Sequence, residues 1–259
     1  MDHLHHFQFG MLTPLLAYAM ACVGSGLGLR CTVRAVEATG SQKRNWLMTG
    51  ATAIGTGIWT MHFIAMLGFG VDGTPVRYHV GLTVLSLGVA IAVVSGAVIL
   101  VGYSRLRLQA LLLGGVGAGL GVAAMHYIGM WAMQVHGDVS YVTPLVGLSV
   151  VIAVVAAIAA LWAAFAVRGA AGTVVAALVM GVAVTAMHYT AMAALRVDVQ
   201  PASTVIPGAT AMEFLFPLIV ILGSFLFLSS AFVALSPTEQ ERAEAANAER
   251  LRGAELSTF

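Results

Sequence analysis

Three histidines with flanking methionines are the residues of this chain best suited to bind a metal or a small ligand. Each stands in the frame G-x5-M-H-[FY]-[IT]-[AG]-M, and the histidines His62, His126 and His188 are 64 and 62 residues apart. Imidazole nitrogen binds copper, zinc, iron and nickel, and thioether sulfur is a soft ligand that favours Cu(I). A frame of this length that recurs three times at one period predicts an internal repeat.

The spacing within each frame decides which methionine shares a helix face with its histidine. Residues at i and i+4 of an α-helix are neighbours, whereas the residue before the histidine is rotated by about 100°. Each frame therefore places one methionine beside its histidine and another on an adjoining face. The candidate metal ligands are Met61, His62, Met66, Met125, His126, Met130, Met187, His188 and Met192.

The composition of the 259-residue chain predicts that these frames lie in a membrane. Hydrophobic residues make up 59% and charged residues 9%, against about 25% charged residues in soluble domains. This composition excludes a soluble globular enzyme and a disordered chain, and a net charge of +1 leaves no basic face for a nucleic acid. Seven uncharged apolar stretches are long enough to cross a lipid bilayer as helices. They are Gly10–Leu29, Trp46–Phe69, Val80–Tyr103, Leu108–Met133, Pro144–Val167, Thr173–Leu195 and Phe214–Leu235.

The predicted fold is therefore all-α, a seven-helix transmembrane bundle made of three two-helix repeats and one leading helix. The frames lie near the ends of the second, fourth and sixth spans. The three histidines are therefore expected at the same depth in the membrane. We expect residues 1–235 to form this membrane domain and residues 236–259 to form a short, charged tail helix. Glu213 opens the last span, where a carboxylate is favourable at a helix N-terminus.

Glycines in the fourth span predict close helix packing. Gly115 and Gly119 form one small-xxx-small pair, and Gly117 and Gly121 form a second. Such pairs let helix backbones approach closely in lipid.

The distribution of lysine and arginine predicts the orientation of the bundle. Ten of these residues fall on one side of the membrane, and only Arg77 and Arg196 fall on the other. Because lysine and arginine are enriched in cytoplasmic loops, we expect an N-terminus outside the inner membrane and a cytoplasmic C-terminus. The ten lysine and arginine residues are Arg30, Arg34, Lys43, Arg44, Arg105, Arg107, Arg168, Arg242, Arg250 and Arg252.

Asp72, His136 and Asp198 occupy equivalent repeat positions near the outer surface. They either form an entry ring or are ordinary solvated loop residues.

Several other interpretations of the repeated frame stay open. A single membrane histidine can simply bond a carbonyl group, and methionine is ordinary core filler, but repetition of an ionisable residue in lipid favours a shared functional site. Zinc on three histidines is the alternative to copper. Haem is disfavoured because three equal copies do not form axial pairs. A proton or ion pathway is disfavoured because the inner halves of these spans carry no polar residues beyond threonine, serine and cysteine.

The triple motif resembles the MHYT domain of bacterial membrane sensors. M-H-Y-T at 187–190 matches the name of that domain, whereas M-H-F-I at 61–64 departs at two positions and M-H-Y-I at 125–128 departs at one. The resemblance extends to about Leu235. It implies that the nine candidate ligands bind copper and that the metal senses oxygen, carbon monoxide or nitric oxide. It also implies that three aromatic residues pack around the site: Phe63, Tyr127 and Tyr189.

Many members of that family carry a cytoplasmic cyclic-dinucleotide enzyme or a DNA-binding domain. Here only residues 236–259 follow the last span, so we expect no enzyme activity and a signal that passes to a separate cytoplasmic partner. The leading hypothesis is a metal-dependent membrane sensor. The alternative is a copper-binding or copper-delivery membrane protein without signalling. A metalloenzyme is least favoured, because no acid, base or substrate-orienting cluster accompanies the histidines.

Overall fold

The structure, a computed structural model, describes residues 4–5, 9–167, 169–201 and 205–236. Within them, seven helices are long and apolar enough to cross a membrane, which confirms the predicted all-α multi-pass fold. The predicted tail helix and Arg168 lie outside the described residues. The helices are α1 (Leu12–Glu37), α2 (Gly40–Leu67), α3 (Val80–Tyr103), α4 (Arg107–Ala132), α5 (Thr143–Ala166), α6 (Ala170–Ala193) and α7 (Phe216–Leu235).

The first two helices extend well beyond their predicted apolar spans. Helix α1 continues to Glu37 and α2 begins at Gly40, so only residues 38–39 separate them. The positively charged segment between the spans is therefore helical rather than a loop, because lysine and arginine are good helix formers. We call this end of the bundle, where Arg30, Arg34 and Arg105 lie, the arginine end.

Six of the helices form a closed ring in chain order, and the seventh packs outside it. Each helix from α1 to α6 contacts the next, and α6 contacts α1. Helix α7 instead packs against the outer sides of α1 and α2. As a result α2 is the central helix. In its most apolar 18-residue stretch 89% of the residues are buried, compared with 17% in the corresponding stretch of the segment that contains α7.

Short strands join the ends of the three frame-bearing helices at the opposite end of the bundle, which we call the strand end. Strand β3 (Arg77–Tyr78) follows α2 and pairs with both β4 (Met133–Gln134) and β7 (Ala209–Thr210). Strand β5 (Gly137–Tyr141) follows α4 and pairs with β6 (Leu195–Val199), which follows α6. These pairings hold the three helix ends together, since every partner strand comes from a different repeat.

Two further features complete the strand end. Strand β1 (Leu4–His5) pairs with β2 (Gly70–Val71). Glu213 lies in a π-helical turn before α7, where its Oε2 accepts from the Thr210 backbone N–H at 3.1 Å and from the Thr210 hydroxyl at 2.8 Å. The Glu213 N–H donates in return to Thr210 Oγ1, so the predicted role of Glu213 at this helix start is confirmed.

The glycines of α4 separate into packed and unpacked positions. A Cβ atom at Gly115 would lie 2.9 Å from the Ile158 Cα atom, and one at Gly119 would overlap the Val154 backbone, so this pair brings α4 against α5. The packing prediction for the second pair is only half right. Gly121 packs against Val93 of α3, but nothing lies within 4 Å of a Cβ atom placed at Gly117.

Replacement of Gly119 by alanine tests this assignment. The added methyl group meets backbone atoms of α5, which cannot rotate away, so we expect a loss of about 1–3 kcal/mol in the free energy of unfolding. Gly117→Ala is the matched control on the same helix, and it should unfold at the same denaturant concentration as the parent protein or slightly higher. Unfolding in detergent measures both, and equal destabilisation of the two variants would contradict the packing described here.

Candidate metal centre

The three frame histidines lie at equivalent places on three helices. His62 is five residues before the end of α2, His126 six before the end of α4, and His188 five before the end of α6. At about 1.5 Å per residue, all three are roughly 8 Å below the strand end. Each is 1% exposed.

The structure brings the three imidazole rings together as a nearly regular triangle. The ring centroids of His62 and His126 are 4.7 Å apart, those of His62 and His188 are 5.0 Å apart, and those of His126 and His188 are 5.2 Å apart. The planes are tilted by 77–81° from one another. Among the described residues, these three histidines form the one group of three or more metal-ligating side chains (histidine, cysteine or acidic) that could hold a metal ion.

The Nδ1 atoms face one another at the centre of the triangle. His62 Nδ1 lies 3.0 Å from His188 Nδ1 and 3.1 Å from His126 Nδ1. A neutral ring nitrogen carries either one proton or one lone pair, so it makes a single good hydrogen bond. His62 Nδ1 therefore cannot satisfy both neighbours with protons alone.

A metal ion fits this arrangement of donor atoms. Two nitrogens bound at about 2.0–2.1 Å with tetrahedral angles are separated by about 3.3 Å, close to the separations observed. One cation at the centre would take the lone pairs of all three Nδ1 atoms at once. The Nε2 atoms of His62 and His126 are buried and have no hydrogen-bond partner among the described residues, so a central ligand would be what orients these rings.

The methionines of the frames lie in the same buried core. None of the six is more than 2% exposed. Met66, Met130 and Met192 follow their histidines by four residues and therefore share their helix faces. Met187 also lines a cavity on the side of the arginine end.

The aromatic residue after each histidine makes the same contact in every repeat. The ring centroid of Phe63 is 4.6 Å from that of His62, and the corresponding distance is 5.0 Å for Tyr127 with His126 and for Tyr189 with His188. All three contacts are edge-on. The aromatic residues therefore pack around the site, as the resemblance implies.

Hydroxyl groups further from the histidines hold this aromatic layer in place. The Tyr127 hydroxyl lies 2.8 Å from Ser149 Oγ, whose own proton goes to the Val146 carbonyl. Tyr78 covers Phe63 from the strand end with 6.2 Å between ring centroids. Burial raises the pKa of the Tyr78 hydroxyl, so this cap stays uncharged.

Gly129 is a site residue that the sequence interpretation did not single out. A Cβ atom there would lie 2.7 Å from His62 Nε2 and 3.3 Å from Phe63 Cζ. The backbone of α4 therefore approaches the imidazole carried by α2. The signal in the sequence was that this position of the frame holds a small residue in all three repeats: Ala65, Gly129 and Ala191.

The polar residues just beyond the frames do not join the site. Asp72, His136 and Asp198 do not form a group of metal-ligating atoms within the described part of the chain. Instead Asp198 lies opposite Asp138 in the β5–β6 pair, and Asp138 accepts from the Gln200 amide. The hypothesis of an entry ring therefore has no support in this geometry.

The whole of this geometry lies in segments that match a known family model. The model described as "Bacterial signalling protein N terminal repeat", MHYT, matches three times, at residues 55–114, 119–177 and 181–242. These matches cover most of the chain and coincide with the three predicted repeats. No solved structure matches the chain.

Curated relatives match over about seven tenths of this chain. The bifunctional diguanylate cyclase/cyclic di-GMP phosphodiesterase MucR of Pseudomonas aeruginosa is 43% identical over 189 residues, which cover 70% of this chain and 27% of the relative. The cyclic di-GMP phosphodiesterase NbdA of the same organism is 38% identical over 73% of this chain and 24% of its own length. The signaling protein YkoW of Bacillus subtilis is 29% identical with the same coverage. The chain thus spans about a quarter of the length of these relatives.

Gly129→Ala tests the close approach of α4 to His62. The added methyl group would clash with the buried His62 ring. We therefore expect the His62 imidazole to be displaced from the imidazoles of His126 and His188. Nitrogen-15 spectra of the histidine side chains report this as changed ring resonances. Gly117→Ala, at an open position of the same helix, is the control and should leave the spectrum unchanged. An unaltered spectrum for Gly129→Ala would contradict the contact.

Proposed function

The chain belongs to the MHYT family of bacterial signalling proteins, and we propose that it is a membrane sensor whose three frame histidines bind a copper ion. The observation that carries this proposal is the cluster of buried Nδ1 atoms, 3.0 and 3.1 Å apart, which protons alone cannot satisfy. An ionisable cluster in a membrane costs free energy and is retained where it has a function.

The donor set favours copper over the alternative, zinc. Six buried thioethers belong to the same frames as the three imidazoles, and thioether sulfur prefers Cu(I). Among the described residues, no acidic side chain is grouped with the three histidines, whereas catalytic zinc sites often include a carboxylate. The proposed ligands are the three histidines, with methionine sulfur completing the site.

The proposed stimulus is a diatomic gas. A bound copper ion would supply a coordination position for oxygen, carbon monoxide or nitric oxide. The chain's own residues keep this position apart from water, because the cluster is buried and Tyr78 and Phe63 cover it. A signal requires that the ligand prefer one of two helix arrangements, and α2, α4 and α6 are the helices that a change at the cluster would move.

The arginine end provides a route from α2 to the last helix. The Arg34 guanidinium donates to the Val233 carbonyl at 2.8 Å and to the Ser236 carbonyl at 2.7 Å, and so holds the end of α7. The same guanidinium lies 5.0 Å from the ring centroid of Trp46 on α2. A shift of α2 would therefore reach the point where the chain leaves the membrane.

The proposed recipient is a cytoplasmic signalling partner. The names of two relatives describe cyclic di-GMP enzymes, which makes enzymes of cyclic di-GMP turnover the favoured class of output. In this proposal the membrane domain regulates such an enzyme and does not itself catalyse a reaction.

Metal analysis of a triple variant tests the copper proposal. Purified full-length protein should carry about one copper ion per chain, and the His62→Ala, His126→Ala, His188→Ala variant should carry none, because three of its ligands are gone. The control is His79→Ala combined with His136→Ala, which removes two histidines outside the cluster. His126→Asn, which keeps a polar group of similar size, is the second variant in case the triple variant does not fold. Equal copper in all preparations would refute the site.

The copper-loaded protein should then change its absorption spectrum with carbon monoxide, nitric oxide or oxygen. A spectrum that none of the three gases alters would contradict gas sensing and favour the alternative of copper handling.

The proposed orientation places the strand end outside the cytoplasm. Cysteine at exposed Ser140, in β5, should react in intact cells with a thiol reagent that cannot cross the membrane, whereas cysteine at exposed Ser41, at the start of α2, should react only after lysis. The parent protein controls for Cys22 and Cys31. The reverse pattern would invert the proposed topology.

A further inference from the structure

An apolar cavity of about 60 Å³ lies next to the histidine cluster, on the side of the arginine end. Each frame-bearing helix lines it with the residues four and eight positions before its histidine. One turn of helix advances by about 5.4 Å, so the cavity begins one turn below the imidazoles. The paired lining residues are Ile58 and Ile54, Val122 and Ala118, and Val184 and Met180.

The cavity is thus centred on the same approximate axis as the histidines. Met187, the residue before His188, belongs to its wall and is only 1% exposed. This methionine connects the two layers, because its helix position adjoins the cluster while its side chain lines the space below.

The wall of the cavity offers almost nothing to water. Its lining residues are apolar except for Ser25. The α5 side is built largely from alanine, whose short side chains leave the space open. A buried water needs two to four polar partners, and cavities without them stay dry. The alanines are Ala153, Ala156, Ala157, Ala160 and Ala164.

The size of the cavity defines the class of molecule that fits. A single water needs about 10–15 Å³, and a dry cavity of about 150 Å³ binds benzene or xenon. The volume here lies between these values. We propose that this cavity is a binding site for one small apolar molecule of two or three heavy atoms, or one xenon atom, separate from the histidine nitrogens.

Binding in the cavity needs no metal, because contact with apolar atoms alone stabilises such a molecule. Its role as a holding site for the gas that reaches the copper rests on the proposed function. In that role the cavity would raise the local concentration of an apolar gas within one helix turn of the histidines, and Met187 would be the side chain that separates the two positions.

Xenon is the probe, and the methionine methyl groups report where it binds. In the metal-free full-length protein, xenon should shift the carbon-13 methyl resonances of Met180 and Met187 in a saturable manner. Buried methionines that do not line the cavity, such as Met61, Met66 and Met130, serve as internal controls and should not shift. No shift at Met180 and Met187, or an equal shift at all buried methionines, would overturn the proposal.

Variants of α5 change the cavity in both directions. Ala157→Leu fills it and should abolish the shift, whereas Leu161→Ala enlarges it and should lower the xenon concentration needed for half-saturation. Ala159→Leu is the matched control, because Ala159 is exposed on the same helix and does not line the cavity. A full xenon effect in Ala157→Leu would refute the site, and the Leu161→Ala variant provides the test if Ala157→Leu does not fold.

Copper content separates this inference from the proposed function. Ala157→Leu should keep the copper content of the parent protein while losing the xenon effect. If the parent protein binds xenon but no copper, the sensor proposal fails and the cavity stands. If it binds copper but xenon shifts neither Met180 nor Met187, the cavity fails and the copper site stands.

Discussion

The fold brings three imidazoles together inside an apolar bundle, where each is only 1% exposed. Each ring nitrogen makes one good hydrogen bond, yet His62 Nδ1 has two nitrogen neighbours at about the same distance. In the hydrocarbon region of a membrane, an unsatisfied polar group costs roughly several kcal/mol of free energy. In the proposed function a shared cation at the centre would remove this penalty, which requires that the surrounding residues keep the three helices close together.

That requirement accounts for the small residues and strand pairs near the cluster. Gly129 lets α4 approach His62, since a side chain there would meet Nε2. At the strand end, β3 joins the ends of α2 and α4 and the segment before α7, while β5 and β6 join the ends of α4 and α6. The helix ends are therefore fixed both at the histidines and one to two turns above them.

The sequence predicts those features that depend on hydropathy and period, and it misses those that depend on which helices become neighbours. The seven spans, the three repeats and the common depth of the histidines follow from composition and spacing. The role of Gly117 does not, because glycine on α4 looks the same whether it faces α5 or lipid. The pairing of β3 with two other repeats was also missed, since strands of two residues carry no periodic signal. A shared site for His62, His126 and His188 was predicted from their repetition, whereas the approach of their Nδ1 atoms to one another needed coordinates.

The repeats are threefold in sequence, but the ring is closed by α1. After α2–α3 and α4–α5, the third repeat is α6–α7, and its second helix, α7, would return beside α2. Helix α1 occupies that place instead, and α7 packs outside against α1 and α2. This exchange breaks the symmetry at the place where the proposed sensor would need an asymmetric response. Three equivalent helices would divide a change at the cluster equally, but only α2 carries a frame histidine, contacts α7 and reaches Arg34 through Trp46. In the proposed function, the central helix is therefore the one through which a change at the cluster would reach the last helix.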